Sequence, residues 1–153
     1  MQKFCLRERK GYGDTVRIMG LDVGTKRIGV ALSDELFITA QGSDTIYRKT
    51  IESDLEEIKK VAKENDVNQI VVGLPISMNG SHSEQTKEVI KFTEDLSKSV
   101  DIPVVTWDER LTTMQAERTL LEADVSRAKR RKVIDKLAAQ AILQNFLDSR
   151  KRG

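Results

Sequence analysis

The chain reads as a single α/β domain with five strands, an antiparallel meander leading into βαβ units. Three observations lead there. Between residues 16 and 48, three runs with strand-like patterning are separated by only a few residues, and connections that short join antiparallel neighbours. From residue 50 onward, helical stripes alternate with short apolar runs such as QIVVGL and VVTW, the pattern of parallel strands joined by crossover helices. Finally, 153 residues with 39% hydrophobic content suit one domain that buries its core without staples.

Taken in order, residues 1–15 are polar, Gly-punctuated and aperiodic, and are expected to be a disordered extension to a domain spanning 16–150. Val16 to Gly24 reads as the first strand, with Ile18, Gly20 and Asp22 on one face and Met19, Leu21 and Val23 on the other. After the turn Gly24-Thr25-Lys26, Arg27 to Ser33 pairs back. Ile38 to Arg48 forms a third strand, with Gly42 marking a bulge or bend. Ile51, Leu55, Ile58, Val61 and Ala62 make a helical stripe between Thr50 and Asn65. Gln69 to Leu74 is a strand covered on both faces, ended by Pro75. Ser81 to Glu84 fits a capping box for a helix reaching Ser99. Val104 to Trp107 is the fifth strand. A second box at Thr112 to Gln115 opens a helix to Glu122, residues 123–131 form a mobile basic connection, and a last helix runs from Lys132 to Asp148.

Composition removes several classes. One cysteine, Cys5, forms no internal disulfide, and one histidine, His82, excludes a His- or Cys-rich zinc centre. No apolar run approaches the roughly 20 residues of a membrane span, and no apolar core follows the basic N-terminus, so the cytoplasm is the expected location. A net charge of +2 with 33% charged residues gives no general attraction to polyanions; any such attraction must come from local clusters.

The chemistry-bearing residues are acids in places where acids are costly. Asp22 sits in an apolar strand, Glu109 just past the fifth strand, and Asp135 in the last helix. At about 100° per residue, Lys136, Gln140 and Gln144 define a wet helix face. Asp135 then points toward the sheet, near the helix start. A carboxylate in apolar surroundings requires a cationic partner, and three such residues on separate elements suggest a divalent ion. Hard oxygen ligands suit Mg²⁺ or Mn²⁺, and two such ions about 4 Å apart activate water against a phosphodiester. Each acid also has a plainer reading: Asp22 as a turn residue, Glu109 as a loop carboxylate paired with Arg110, Asp135 as a helix-start charge. Asp108 competes with Glu109, although strand alternation sends the two to opposite faces.

Candidate phosphate-holding groups surround these acids. Lys26 and Arg27 follow Asp22 in the turn, Arg110 adjoins Glu109, and Asn79 lies in the loop after the fourth strand. Arg127, Lys129, Arg130, Arg131 and Lys132 crowd the start of the last helix. Cations there oppose the helix dipole, so an external anion explains them better than fold stability does. Nucleic-acid phosphates fit that description; the plainer alternative is a solvated loop. Ser77 is a further loop candidate, His82 reads as a surface residue, and Trp107 reads as core.

Four segments then bear a family likeness: DVGTKRIGVALSD (22–34), VGLPISMNG (72–80), TWDERLTT (106–113) and RRKVIDKLAAQAILQNFL (130–147). Their order and spacing resemble the YqgF family, also called RuvX, of pre-16S rRNA nuclease and Holliday junction resolvase-like proteins. The resemblance spans about residues 17–148. It implies an RNase H-like fold, a five-stranded mixed sheet flanked by helices, and a metal-dependent nuclease with Asp22, Glu109 and Asp135 as the matched acids. It further implies trimming of the 5′ end of precursor 16S rRNA in the bacterial cytoplasm. The family start falls near Val16, so residues 1–15 are read as arising from an upstream start. Branched DNA is the runner-up substrate; junction cleavage calls for a symmetric dimer, whereas the sequence shows no obvious dimer surface and suits a monomer or weak homodimer. Two further readings are a non-catalytic RNA-binding assembly factor and nucleotide-dependent phosphotransfer. The second follows from the D-x-G-T run, which also resembles actin-like ATPases and sugar kinases. Those need two such domains, and this chain has room for one.

Overall fold

Alternation in the first strand splits the core in two. In the computed structural model, which describes residues 16–77, 79–111 and 127–152 (only the backbone at 111, 127–136, 151 and 152), β1 is Arg17–Val23. Met19, Leu21 and Val23 enter one buried cluster and Ile18 the other. β2 (Arg27–Ser33) and β3 (Ala40–Tyr47) complete the meander, both pairings antiparallel. The helix α1 (Ile51–Glu64) leads to β4 (Val67–Leu74), α2 (Glu84–Ser99) leads to β5 (Val104–Asp108), and a 3-10 turn (Glu109–Leu111) follows. The last described element is α3 (Arg127–Arg152). The sheet order is β3-β2-β1-β4-β5, with β4 parallel to both β1 and β5. The five-stranded mixed sheet of the sequence reading is therefore present, and the carboxyl ends of β1, β4 and β5 share one edge.

The faces are covered separately. Ile58 and Ala62 of α1 and Val89, Phe92 and Leu96 of α2 pack on the Met19–Leu21–Val72 face. Ala139, Ile142, Leu143 and Leu147 of α3 pack on the Ile18–Ala31–Val71 face. Ile70, Val71 and Val72 are fully buried, as a strand covered on both sides requires. The register between β2 and β3 slips where Val30 faces Asp44 and Ala31 faces Gly42, so one residue is extra at the bend expected near Gly42.

Several boundaries differ from the sequence reading, each for a physical reason. The α2 cap is Ser83 with Thr86, not Ser81 with Glu84: each side chain holds the other's backbone N–H, and a Thr hydroxyl serves there as Glu would. The α3 helix begins at Arg127 rather than Lys132, because a run of Ala, Lys and Arg favours helix despite its charge. Gln140 and Gln144 do not form a wet face. Gln140 Oε1 accepts from the Gly42 N–H at 3.2 Å, and Gln144 accepts from Ala40 N and donates to the Ile38 carbonyl, both at 2.9 Å. A primary amide offers donors and an acceptor together, so these two side chains satisfy the open backbone of the edge strand. The proposed helix at 112–122, the extension 1–15 and the side chain of Asp135 lie outside the described residues.

Candidate active site at the carboxyl edge of the sheet

The strand register sets out one row across the sheet. Thr45 faces Gly29, Gly29 faces Asp22, and Gly73 faces Trp107. Leu21 faces Val72, which brings the next residues, Asp22 and Gly73, to the same height. Asp22 is thus flanked by glycine on both neighbouring strands, on the face that α3 covers.

Gly73 is where the second acid arrives. A Cβ built there would lie 3.0 Å from Glu109 Oε2, 3.1 Å from Glu109 Cγ and 2.4 Å from Ile142 Cδ1. The Glu109 side chain therefore lies against the bare backbone of β4, between its own strand and β1. Neighbouring strands are about 4.8 Å apart, so this position carries it toward Asp22. Burial pushes its carboxyl up to about 7, and the charges of Asp22 and then Asp108 add to the rise. Gly20 serves α3 in the same way: a Cβ there would meet Leu143 Cβ at 2.8 Å and the Ala139 carbonyl at 3.2 Å. Glycine in a strand is used here for close approach of another element.

Asp108 turns out to have a different partner. It accepts from Arg110 Nε at 3.0–3.1 Å and Nη2 at 2.7 Å, and from the Arg110 backbone N–H at 2.9 Å. The Arg110 side chain and backbone hold its carboxyl below the usual range. The pair fixes the 3-10 turn that sends Glu109 the other way, so only one of the adjacent acids reaches the glycine row. Arg110 also approaches the loop after β4, its Nη1 lying 3.7 Å from the position of a Cβ on Gly80. That loop is built tightly. Gly80 N donates to Ser77 O at 2.7 Å, Asn79 Oδ1 accepts from Ser81 N at 2.9 Å, and the Thr86 hydroxyl donates to the Pro75 carbonyl. Gly80 has φ 87°, a conformation open to glycine. Asn79 and Ser77 are exposed at this edge, and His82 is exposed as expected. Lys26 is exposed and Arg27 half-buried in and after the turn. Trp107 packs edge-on to Phe146 at 5.6 Å and donates to Asn145, confirming it as core.

The direction of α3 follows from its bonds to β3. Residue 140 meets residue 42 and residue 144 meets residue 40, so the helix runs antiparallel to β3 and hence to β1. Its start is directed toward the acidic edge. The inward stripe is Ala139, Ile142, Leu143 and Leu147, and residue 135 stands one turn before Ala139 in the same helix. Asp22 and Glu109 are brought together; for the third acid only this backbone position is described. No group of three acidic, His or Cys side chains suited to a metal occurs among the described residues.

Two features escaped the sequence reading. Asp54, 2% exposed, accepts from Arg48 Nε and Lys49 N at 3.0 Å each, while Arg48 Nη1 donates to the Gly24 carbonyl at 2.8 Å. This network fixes the turn that follows Asp22. The signal was present: Asp54 occupies a stripe position of α1 between Ile51 and Ile58. The second is Thr45, whose buried hydroxyl has no hydrogen-bond partner among the described residues. It lies across Gly29 from Asp22.

A mixed sheet of order β3-β2-β1-β4-β5, with acids at the carboxyl ends of β1 and β5 beneath a covering helix, defines a protein of the RNase H-like fold. Solved structures agree on the fold. RuvC of Thermus thermophilus, in complex with a Holliday junction substrate, matches with a TM-score of 0.56 at 13% identity, covering 90% of this chain and 96% of that one. The fowlpox virus Holliday junction resolvase matches with a TM-score of 0.53 at 12% identity, covering 87% and 99%. Within that fold the chain belongs to the RuvX family, described as Holliday junction resolvase, whose model matches residues 16–149. Relatives named "Putative pre-16S rRNA nuclease" include one from Clostridioides difficile, 58% identical over 86% of this chain and 94% of its own length. Another from Thermoanaerobacter pseudethanolicus is 55% identical over 89% and 99%. No helix among the described residues is long and apolar enough to cross a membrane.

Proposed function

We propose that this protein is a metal-dependent nuclease that hydrolyses phosphodiester bonds in 5′-end processing of precursor 16S rRNA in the cytoplasm. The observation that carries the reading is the Asp22–Gly73–Glu109 row: two carboxylates from remote parts of the chain share a glycine-cleared space at the ends of parallel strands. Fold alone does not give function; this arrangement and the names of the relatives favour hydrolysis of a phosphoester.

The donor set fits a hard divalent ion, Mg²⁺ or Mn²⁺. It is all oxygen, and the Glu109 carboxyl, raised first by burial and then by the charges of Asp22 and Asp108, would be held ionised by a bound cation. Asp22 and Glu109 would hold it together with Asp135, whose helix position is one turn ahead of Ala139. When bound, such an ion supplies an activated water and charge neutralisation at the leaving oxygen. The chain's own residues do the rest. Gly73 lets the Glu109 side chain pack against the backbone of β4, on the Asp22 side of β5. Lys26, Arg27 and Arg110 stand at the rim to hold it, with Asn79 in the adjoining loop. The helical run containing Arg127, Lys129, Arg130, Arg131 and Lys132 leads toward the same edge and would bind flanking phosphates. Monomer or weak homodimer is the expected state.

The deciding experiment incubates purified protein with precursor 16S rRNA and with a four-way DNA junction, in Mg²⁺, Mn²⁺ or chelator. Divalent-dependent cleavage of the rRNA precursor is expected. Cleavage of the junction alone would shift the substrate to branched DNA, and binding without cleavage would leave an assembly factor.

A further inference from the structure

One polar atom on the acidic face is buried to no structural benefit. The Thr45 hydroxyl oxygen has no hydrogen-bond partner among the described residues, although the Thr45 N–H donates to the Asp44 carboxylate at 2.7 Å. A buried hydroxyl without a partner costs stability, and a valine of the same shape would fill this strand position without that cost. Native chains keep few such atoms, and each calls for a partner in some state of the molecule.

The strand register says what stands near it. Thr45 faces Gly29 and Gly29 faces Asp22, so Thr45 and Asp22 belong to one face of the sheet, with their backbones two strand spacings, about 10 Å, apart. That is too far for a direct bond between two short side chains. The helix α3 runs between them. It is seated on β1 at Gly20 and reaches β3 through Gln140 and Gln144, so it lies over β2. Gln140 meets Gly42, which faces Ala31, and Gln144 meets Ala40, which faces Ser33. Four residues of helix rise about 6 Å, and two residues of strand span about 6.6 Å, so the two advance in step. One further step along β2 reaches Gly29, and the matching step along α3 reaches residue 136 and its neighbour 135. From Arg127 to Ala139 the helix carries one acid, Asp135, among cationic and apolar residues.

We propose that Thr45 is the positioning residue of the third acid: its hydroxyl donates to the Asp135 carboxylate when that carboxylate ligates the divalent ion. The inference rests on the nuclease reading and deepens it, by giving the ion's ligands a support on β3, the strand farthest from Glu109. A carboxylate with one oxygen on a metal keeps lone pairs for a donor, and ligating carboxylates are held by such donors. The hydroxyl that costs stability in the metal-free chain thus gains its partner in the loaded one.

The test uses the whole chain and reads two quantities other than cleavage: the melting temperature in chelator, and Mn²⁺ binding followed by the loss of the free-ion EPR signal. Thr45→Val should melt in chelator at or above the parental temperature, because the hydroxyl has no bond to lose there. It should bind Mn²⁺ about tenfold more weakly. Thr45→Ser, which keeps the hydroxyl, should recover most of that affinity. Added to Asp135→Ala, the valine should bring no further loss, since the two residues act as one unit. Parental Mn²⁺ affinity in Thr45→Val, a loss that adds to that of Asp135→Ala, or a lower melting temperature in chelator would each overturn the role of Thr45 and leave the nuclease reading standing. A parent that binds no Mn²⁺ removes the metal-dependent reading and the role of Thr45 together.

Discussion

Gly73→Ala separates the site from the fold more cleanly than deleting a carboxylate does. The new methyl would lie 2.4 Å from Ile142 Cδ1 and 3.0 Å from Glu109 Oε2, whereas carbon contacts settle at about 3.5–4.0 Å. Ile142 Cδ1 is the end of a rotatable side chain, so it must swing by about 1 Å at a rotamer cost of about 0.5–1.5 kcal/mol. Glu109 must give by a few tenths of an ångström or more. Overpacking of this size costs about 1–2 kcal/mol, a fall of roughly 2–8 °C in Tm for a chain of this length. Cleavage should suffer more, since a displacement near 1 Å at a reacting group is worth about 10²-fold; a tenfold or larger loss is expected. Gly20→Ala is the matched comparison. There the methyl meets Leu143 Cβ and the Ala139 carbonyl, neither of which can rotate away, so α3 itself must shift and the stability loss should be larger. The measurements are thermal unfolding and Mg²⁺-dependent cleavage of precursor rRNA by both variants. Parental cleavage by folded Gly73→Ala would refute the claim that Glu109 works from the space above that glycine.

Other consequences are equally direct. Asp22→Asn, Glu109→Gln and Asp135→Asn should each abolish cleavage while circular dichroism and cooperative melting persist; parental activity in all three would end the assignment. Because the Glu109 carboxyl is raised to about 7 from an ordinary 4.5, the metal-free folded state holds its proton more tightly than the unfolded state. Stability from this group should therefore fall as pH rises from about 4.5 to 7, and Mg²⁺ should flatten that slope in pH-dependent melts. Asp54→Ala strands Arg48 beside the turn after Asp22 and should cost about 3 kcal/mol by denaturant unfolding. Arg130→Ala with Arg131→Ala should weaken substrate binding and reduce its salt slope in anisotropy titrations, with little change in Tm.

The strands and their faces were legible because alternation reports them directly: Ile18, Gly20 and Asp22 do share one face, which α3 covers, and QIVVGL is buried on both sides. Glu109 was placed correctly past β5, but the reason it reaches the α3 face was not visible. That depends on Arg110 gripping Asp108, a side-chain bond no period predicts. The α3 stripe was read from a mistaken anchor. Gln140 and Gln144 look like solvent residues until an edge strand needs their amides. Gly73 passed as part of a strand because a glycine's value lies in what approaches it, here Glu109 and Ile142 from 36 and 69 residues away in sequence. Asp54 was legible in principle, since an acid on an apolar stripe asks for a buried cation. The length of α3 was underestimated because charge was weighed above helix propensity between Arg127 and Lys132.

The lid on the acidic face is the last described helix of the chain, seated on Gly20 of the first strand and against Gly73 of the fourth. During synthesis the sheet and its two mapped carboxylates leave the ribosome before that helix can dock. A growing polypeptide would thus carry an open, unfinished cutter while still beside ribosomal RNA, and catalytic competence would come only with the closing of the fold.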